Sequence, residues 1–172
     1  SSDGTADFVK AWYPKVCLVE SPCNKGFGAG HNRALDGLRS AYHVIMNPDV
    51  SFAPGVLQTM ADYMDGHADI VLLSPAVLNE DGSPQYLPKR FPKLSYLIGG
   101  LFEDRGALFK KWRAEYTRSE EVFAEPADID FCTGCCMFLR TEALLEAGGF
   151  DERLFLYLED ADLTRRLQAY GR

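Results

Sequence analysis

The chain has 172 residues, of which 47% are hydrophobic and 25% are charged, and its formal net charge is −7. This balance predicts one globular domain with a sizeable core, and the negative charge argues against non-specific binding to nucleic acid or to an anionic bilayer. The longest apolar runs are too short to span a membrane, and five cysteines without a recognisable secretory signal predict a reduced, cytoplasmic protein.

Strand-like and helix-like segments alternate along the chain. The predicted strands cover residues 16–19, 42–46, 70–73 and 130–139, and the predicted helices cover residues 34–41, 54–66, 141–147 and 161–170. This alternation is typical of an α/β sheet with much parallel pairing. Residues 79–84 are rich in turn-forming types and predict a loop tip.

The segment 85–127 differs from the rest of the chain. Its hydrophobic periodicity is poor, and it combines aromatic residues with a concentration of positive charge. We expect an insertion or mobile flap over the edge of the sheet. Its basic side chains either face an anionic acceptor or belong to a solvated insertion with no role in substrate binding.

A glycine-rich turn at residues 24–33 follows a predicted strand and opens a predicted helix. Gly26, Gly28 and Gly30 would let the backbone approach a ligand closely, and the helix N-terminus would offer free N–H groups. The glycine spacing is not that of a dinucleotide-binding or Walker motif. A tight turn that packs the helix on the sheet is therefore the alternative.

The sequence Asn47-Pro48-Asp49 follows the predicted strand 42–46. Pro48 turns the chain, which would hold Asp49 at the carboxyl end of the strand, where α/β sheets bind ligands. A single carboxylate together with diphosphate oxygens and waters suits Mg²⁺. An Asp turn or a cap of the following helix is the alternative.

Residues 150–163 contain five carboxylates spaced among Phe, Leu and Tyr residues. Glu159 and Asp160 lie between an apolar run, 154–158, that resembles a strand and a predicted helix. Acids at such a junction point into the ligand-binding crevice of an α/β sheet. Capping of the helix by Asp160 or Asp162 is the alternative.

The cluster Cys132, Cys135 and Cys136 lies in an apolar run that predicts a buried strand. A structural zinc site needs four ligands, and the chain has no second pair of cysteines or histidines at ligand spacing. We expect these cysteines to be small buried residues that bind no metal and form no disulfide.

Taken together, the motifs resemble the family 2 glycosyltransferases, and among them the rhamnosyltransferases that build bacterial surface and cell-wall polysaccharides. The resemblance rests on Ser-Ser-Asp-Gly-Thr at residues 1–5, followed by N-x-G-F-G-A-G-x-N, N-P-D-V and G-G-F-D-E-x-x-F-x-Y-x-E-D-x-D-L. It implies a GT-A fold over residues 1–172, that is, a Rossmann-like, doubly wound mixed sheet. The strands that open this family's fold are not found upstream of residue 1, so we expect a fragment of the full domain.

The resemblance also implies an activity: inverting transfer of a sugar, with rhamnose as one candidate, from a nucleotide-diphosphate sugar to a hydroxyl of a glycan or lipid-linked acceptor. Asp160 would be the general base, with Glu159 beside it. Asp49 would bind Mg²⁺ or Mn²⁺ as the acid of the family's D-x-D element. The residues expected near the nucleotide are Asn24, Gly26, Asn32 and Asn47.

Two other functions stay open at this point. A sugar nucleotidyltransferase would also combine a glycine-rich turn with acids, but here that turn follows the Ser-Asp-Gly-Thr turn and Lys25 stands alone. A non-catalytic sugar-nucleotide-binding module would explain missing strands but not three acids in these positions. We expect no nucleic-acid partner, and a cytoplasmic protein that reaches the inner face of the membrane through regions outside this chain.

Overall fold

The computed structural model describes residues 3–121 and 125–172. Within these ranges a small sheet is flanked by helices. The strands are β1 (Tyr42–Met46), β2 (Leu72–Leu73) and β3 (Cys136–Arg140). The helices are α1 (Thr5–Trp12), α2 (Phe27–Asn32), α3 (Val56–Gly66), α4 (Leu94–Leu101), α5 (Ala107–Thr117), α6 (Thr141–Glu146) and α7 (Glu159–Leu167), with a short 3-10 turn at Glu103–Arg105.

Strand β3 lies at the centre of the sheet and pairs antiparallel with both neighbours, in the order β1-β3-β2. Tyr42 is opposite Arg140 and Met46 is opposite Cys136. The expectation of much parallel pairing is therefore wrong for the described strands. Strands β1 and β2, joined through α3, do run in the same direction, but β3 lies between them and takes all of their ladder hydrogen bonds. The α/β class itself is confirmed.

The core lies on both faces of β3, because successive side chains of a strand point to opposite faces. Met137 and Leu139 pack with Leu163 of α7 in the larger hydrophobic cluster. Phe138 packs with Met64 of α3 in the smaller one. Helix α7 is thereby fixed against the sheet, and this positions the acids in its first turn.

Several predicted elements are confirmed. The strand 42–46 is β1, and the helices 54–66 and 141–147 are α3 and α6 with ends shifted by one or two residues. The strand 70–73 is reduced to its last two residues. The helix predicted at 161–170 begins at Glu159 and ends at Leu167. The loop tip 79–84 is confirmed by the Asn79 N–H, which donates to the Ser83 carbonyl at 2.8 Å.

Two predicted elements in the N-terminal part are wrong. Residues 16–19 form no strand: Val16 and Val19 are 56% and 46% exposed, and no described strand pairs with them. Residues 34–41 form turns instead of a helix, and the helix lies earlier, at α2. Contacts of Phe27 and Asn32 with Phe150 hold α2, and such tertiary contacts outweigh local helix propensity.

The segment 85–127 contains the helical pair α4–α5, which its poor periodicity did not predict. The two helices pack closely, because a Cβ on Gly99 would lie 2.9 Å from the Trp112 Cβ. No residue of α5 is buried. The mobility of this segment and its boundaries stay predictions, and its residues 122–124 lie outside the described residues.

The cysteine cluster is only partly a strand. Cys136 opens β3, whereas Cys132 and Cys135 precede it, so the strand predicted at 130–139 is wrong over its first half. Cys132 and Cys136 are buried, as expected of small core residues, and burial raises the pKa of their thiols to about 12 and about 11. Cys17 and Cys23 are exposed, and no disulfide joins any of the five. The predicted lack of a bound metal stays a prediction.

Candidate functional site

The predicted metal-binding acid lies beside the turn that leads into β3. The Asn47 N–H donates to the Cys135 carbonyl at 3.0 Å, which continues the β1–β3 pairing one residue beyond the strands. Asp49 follows two residues later and is exposed. The pKa of the Cys135 thiol is raised by burial and by the charge of Asp49, as expected for close neighbours.

Asp160, which comes later in the chain, contacts the same turn. One of its carboxylate oxygens, Oδ2, accepts the Gly134 N–H at 3.0 Å, and the other, Oδ1, accepts the Ala161 N–H at 2.8 Å. Gly134 and Cys135 are adjacent, so the turn they form contacts Asp160 and lies beside Asp49. The structure thus brings two predicted site residues to one turn, although they are far apart in the sequence.

Helix capping does not account for the acids of α7. The N-cap position is taken by Leu158, and no side chain caps the helix. Asp162 forms an ion pair with Arg166 at 2.8 Å. Asp160 accepts an N–H of the first turn, but its second oxygen binds Gly134, which is outside the helix. The Asp160 carboxylate is therefore held in a fixed orientation and keeps lone pairs for a substrate.

Glu159 is directed into the protein. Its side chain is only 6% exposed, and its Oε2 has no hydrogen-bond partner among the described residues. Burial raises the pKa of this carboxyl group. A buried carboxylate without full hydrogen bonding is costly, and such residues concentrate at functional sites.

The apolar run before these acids is a loop, so the predicted strand 154–158 is wrong. Tyr157 and Leu158 have φ angles of 69° and 68°, in the left-handed region. Phe155, Leu156, Tyr157 and Leu158 are all at least 45% exposed. Their exposure explains the failed prediction, because a buried strand is what such an apolar run normally indicates. Left-handed backbone at non-glycine residues is strained and is common at functional sites.

The glycine-rich turn packs on this loop. Gly26 has a φ of 98°, and a Cβ there would lie 2.1 Å from the Phe155 carbonyl oxygen. The next N–H, of Phe27, donates to that same oxygen at 3.2 Å. The Asn24 side chain accepts the Gly26 N–H at 2.9 Å and fixes the turn. These residues therefore form a tight turn, and the turn holds the chain that leads to Asp160 in place.

A cleft of about 150 Å³ remains open beside this turn. Its lining includes Cys23, Asn24, Lys25, Gly26, Arg33 and Glu152. Its lining combines two basic side chains, Lys25 and Arg33, with one acid, Glu152. The expected nucleotide contacts of Asn24 and Gly26 stay predictions.

Asn32 has a role that the sequence did not indicate. Its amide donates to the Phe150 carbonyl and accepts the Phe150 N–H, both at 2.8 Å. A Cβ on Gly149 would lie 2.5 Å from the Asn32 Oδ1. The amide group is therefore engaged in joining α2 to the turn before the acidic loop. The pair Gly148-Gly149 was the one sequence signal that something approaches closely there.

Three further residues lie near Asp160: Lys89, Arg113 and Tyr116. The sequence placed Lys89 and Arg113 in the basic segment 85–127 but assigned neither of them to a site beside Asp160. Burial lowers the pKa of Lys89 and raises the pKa of Tyr116, and the negative charge of Asp160 has a smaller upward influence on each. Lys89 is held there by backbone pairing with Phe131. No local pattern joins residues from such distant segments, so only the fold could reveal them.

Within the described ranges, no group of three or more His, Cys, Asp or Glu side chains is arranged to hold a metal ion. None of the helices in these ranges is both long and apolar enough to cross a membrane.

Comparison with known proteins identifies the family. The chain belongs to glycosyl transferase family 2, whose model matches residues 1–148. This confirms the family expected from the motifs, and the mixed α/β structure is consistent with a partial GT-A domain. The last and longest motif extends beyond the matched residues.

The chain is also similar to curated rhamnosyltransferases. It is 29% identical to the N-acetylglucosaminyl-diphospho-decaprenol L-rhamnosyltransferase of Mycobacterium tuberculosis, over 99% of this chain and 59% of that protein. It is 25% identical to rhamnosyltransferase WbbL of Escherichia coli K12, over 85% of this chain and 55% of that protein. The chain therefore spans little more than half the length of these relatives. No solved structure gave a significant match.

Proposed function

We propose that this chain forms much of the catalytic domain of a rhamnosyltransferase that acts, with inversion, on a lipid-linked saccharide. The donor is a nucleotide-diphosphate sugar. The observation that carries the proposal is the turn Gly134–Cys135, which contacts Asp160 and lies beside Asp49. A base and a diphosphate-binding acid must be close together for one sugar to be transferred between them. The similarity to two rhamnosyltransferases supports the sugar and the acceptor class.

In the proposed reaction, Asp160 takes the proton of the acceptor hydroxyl while the hydroxyl oxygen attacks the anomeric carbon. The new bond joins that oxygen to the anomeric carbon, and the bond from the anomeric carbon to the diphosphate oxygen breaks. The electron pair leaves with the nucleoside diphosphate. Two backbone N–H groups hold the Asp160 carboxylate, so the base is oriented before the acceptor binds.

Asp49 fits a metal ion that arrives with the donor. Its carboxylate is exposed and has no hydrogen-bond or ion-pair partner among the described residues. Mg²⁺ commonly binds one or two carboxylates together with substrate phosphates and waters, so a single acid suffices only in the presence of a diphosphate. When bound, Mg²⁺ or Mn²⁺ would neutralise charge on the leaving diphosphate. The amide oxygen of Asn47, two residues before Asp49, is a further candidate ligand.

The general base is tested by Asp160→Asn in the full-length protein. We expect turnover to fall by about a hundredfold or more while donor binding changes little, because the substitution removes proton transfer and keeps the shape. Asp162→Asn is the matched control on the same helix, since Asp162 pairs with Arg166 and not with the turn at Gly134. Near-normal turnover of Asp160→Asn would show that Asp160 is not the general base.

The metal proposal is tested by calorimetry with nucleoside diphosphates. We expect binding that strengthens on addition of Mg²⁺ or Mn²⁺, and loss of this dependence in Asp49→Ala. Asp151→Ala is the control, because it also removes one carboxylate, and Asp151 is paired with Arg153 at 2.6 Å and lies outside the proposed metal site. Equal, metal-independent affinity in wild type and Asp49→Ala would contradict a metal at this position.

A further inference from the structure

Two cations share one aromatic ring beside the proposed base. The Lys89 ammonium lies 5.8 Å from the centre of the Tyr116 ring, and the Arg113 guanidinium carbon lies 5.9 Å from it. Both distances are within the range of cation–π contacts. Because like charges repel, holding two cations at one ring needs either a counter-ion or a rigid frame.

The frame is formed from three segments of the chain. Lys89 and Phe131 exchange backbone hydrogen bonds of 3.5 and 3.3 Å. The next aromatic residue, Phe91, stacks on Phe131 at 5.9 Å, and the Arg165 guanidinium of α7 lies 5.6 Å from the Phe91 ring. Helix α5 carries Arg113 and Tyr116 one turn apart on one face. These contacts fix the cations relative to α7 and hence to Asp160.

A counter-ion for Lys89 is not found among the described residues, since no carboxylate lies within ion-pairing distance of its ammonium. Arg113 has only the exposed Glu103, at 3.7 Å. Burial and the neighbouring Arg113 lower the pKa of Lys89, while the charge of Asp160 acts in the opposite sense. A half-buried ammonium with a cation as its neighbour is a ready site for an anion.

Two nearby basic residues of the segment, Arg90 and Lys93, are engaged elsewhere. Arg90 pairs with Glu121 at 3.2 Å. The Lys93 ammonium lies over the Tyr96 ring at 5.4 Å. Lys111 is exposed on α5. Lys89 and Arg113 are thus distinguished from their neighbours by sharing Tyr116, whose pKa is affected by Asp160.

We propose that Lys89 and Arg113, across the face of Tyr116, bind the diphosphate group of a substrate next to Asp160. The inference rests on the proposed function for its substrate, because both a nucleotide-sugar donor and a diphospholipid acceptor carry this group. A diphosphate offers several oxygens in a short span, which suits an ammonium and a guanidinium fork held at one ring. Asp49 is assigned to the donor, so the acceptor diphosphate is the expected ligand.

The experiment measures binding to the full-length protein by calorimetry with three probes: inorganic pyrophosphate, nucleoside diphosphates with Mg²⁺, and a short-chain N-acetylglucosaminyl-diphospho-prenol. We expect Lys89→Gln and Arg113→Gln each to weaken binding of the short-chain acceptor about tenfold. Nucleoside diphosphate affinity should change less than about twofold. Lys89→Arg, which keeps the charge, should restore most of the affinity.

The matched control is Lys111→Gln, which removes one positive charge from the same helix without touching Tyr116. Its affinity for all three probes should stay within about twofold of wild type. Circular dichroism and thermal unfolding check that each variant is folded, and Arg113→Gln tests the site if Lys89→Gln does not fold. Loss of nucleoside diphosphate binding alone would assign the cations to the donor and keep the site.

The inference is overturned if the acceptor probe and pyrophosphate bind the Gln variants as they bind wild type. That result leaves the proposed function intact when Asp160→Asn still abolishes turnover. Conversely, weakened pyrophosphate binding in the Gln variants, together with normal turnover of Asp160→Asn, would retain the anion site and refute the base. The two failures are therefore distinguishable.

Discussion

Two helical regions meet near Asp160, and they bury their apolar residues very differently. On α7, Leu163 and Leu167 are 0% and 1% exposed and form part of the main core. On α4, Leu94 and Leu101 are 74% and 78% exposed. Helices α4 and α5 pack tightly on each other but leave much apolar surface uncovered. Asp160 is therefore held in place by the core. Lys89 and Arg113, which lie near it, belong to a region that can vary with little effect on the core.

Truncating a leucine should destabilise the protein far more on α7 than on α4. Leu163→Ala should lower the free energy of unfolding by about 4 kcal/mol, because it leaves a cavity in the core. Leu101→Ala, the same substitution at an exposed position of α4, should change it by less than about 0.5 kcal/mol. Urea unfolding of both variants checks this. A large loss for Leu101→Ala would mean that α4 has a stabilising partner.

Replacing a glycine by alanine should likewise destabilise the glycine-rich turn and not α4. Gly26→Ala should cost about 3 kcal/mol, because the new Cβ would collide with the Phe155 carbonyl and φ is positive. Gly100→Ala on α4 is the control: its Cβ would meet only the Arg113 side chain, at 3.7 Å. Ala is the better helix former, so this variant should gain about 0.5 kcal/mol. Thermal unfolding measures both, and equal effects would contradict the fitted turn.

The effect of replacing Glu159 on stability should depend on pH. Burial raises the pKa of Glu159, so the folded state holds this proton more tightly than the unfolded state. Stability from this group is thus present at low pH and is lost as pH rises from the ordinary Glu pKa through the raised one. Glu159→Gln should be more stable than wild type by roughly 1 kcal/mol at pH 7 and equal to it near pH 4.

Glu103→Gln is the counterpart in the exposed region. Glu103 forms only a 3.7 Å ion pair with Arg113, with both side chains well exposed. Its replacement should change stability by a few tenths of a kcal/mol at most, because exposed ion pairs contribute little. Denaturation curves at pH 4 and pH 7 compare the two variants. A Glu159→Gln protein that is less stable at pH 7 would show that the buried carboxylate has an unseen stabilising contact.

The elements that could be predicted from the sequence are those in which local pattern and core agree. In β1, α3 and α6 the apolar periodicity matches the buried face, so the boundaries follow within about two residues. The position of Asp49 after β1 was likewise predicted from the sequence, and the roles of Asp49 and Asp160 stay predictions. Their meeting at one turn, however, depends on β3 and could not be read locally.

The failures share one physical cause, namely contacts between distant segments. The run 154–158 has the apolar content of a strand, but Gly26 and Phe27 hold it as an exposed loop. The expectation that Asn32 lies near a nucleotide stays a prediction, whereas the bonding of its amide to Phe150 was not foreseen. The basic residues of segment 85–127 were expected to face an anionic acceptor or to be solvated, but no local pattern distinguished Lys89 and Arg113 from the others. Only the tertiary fold brings Lys89 and Arg113 to the same aromatic ring, that of Tyr116.

The division of the cysteines has a practical consequence for labelling. A thiol reacts with maleimides as the thiolate, so the raised pKa values of Cys132 and Cys136 leave both inert near neutral pH. Cys17 and Cys23 are exposed and should react first. Cys23 lines the cleft beside Asn24. After Cys17→Ser, a fluorophore on Cys23 would therefore act as an optical reporter at that cleft, without any cysteine having to be engineered in.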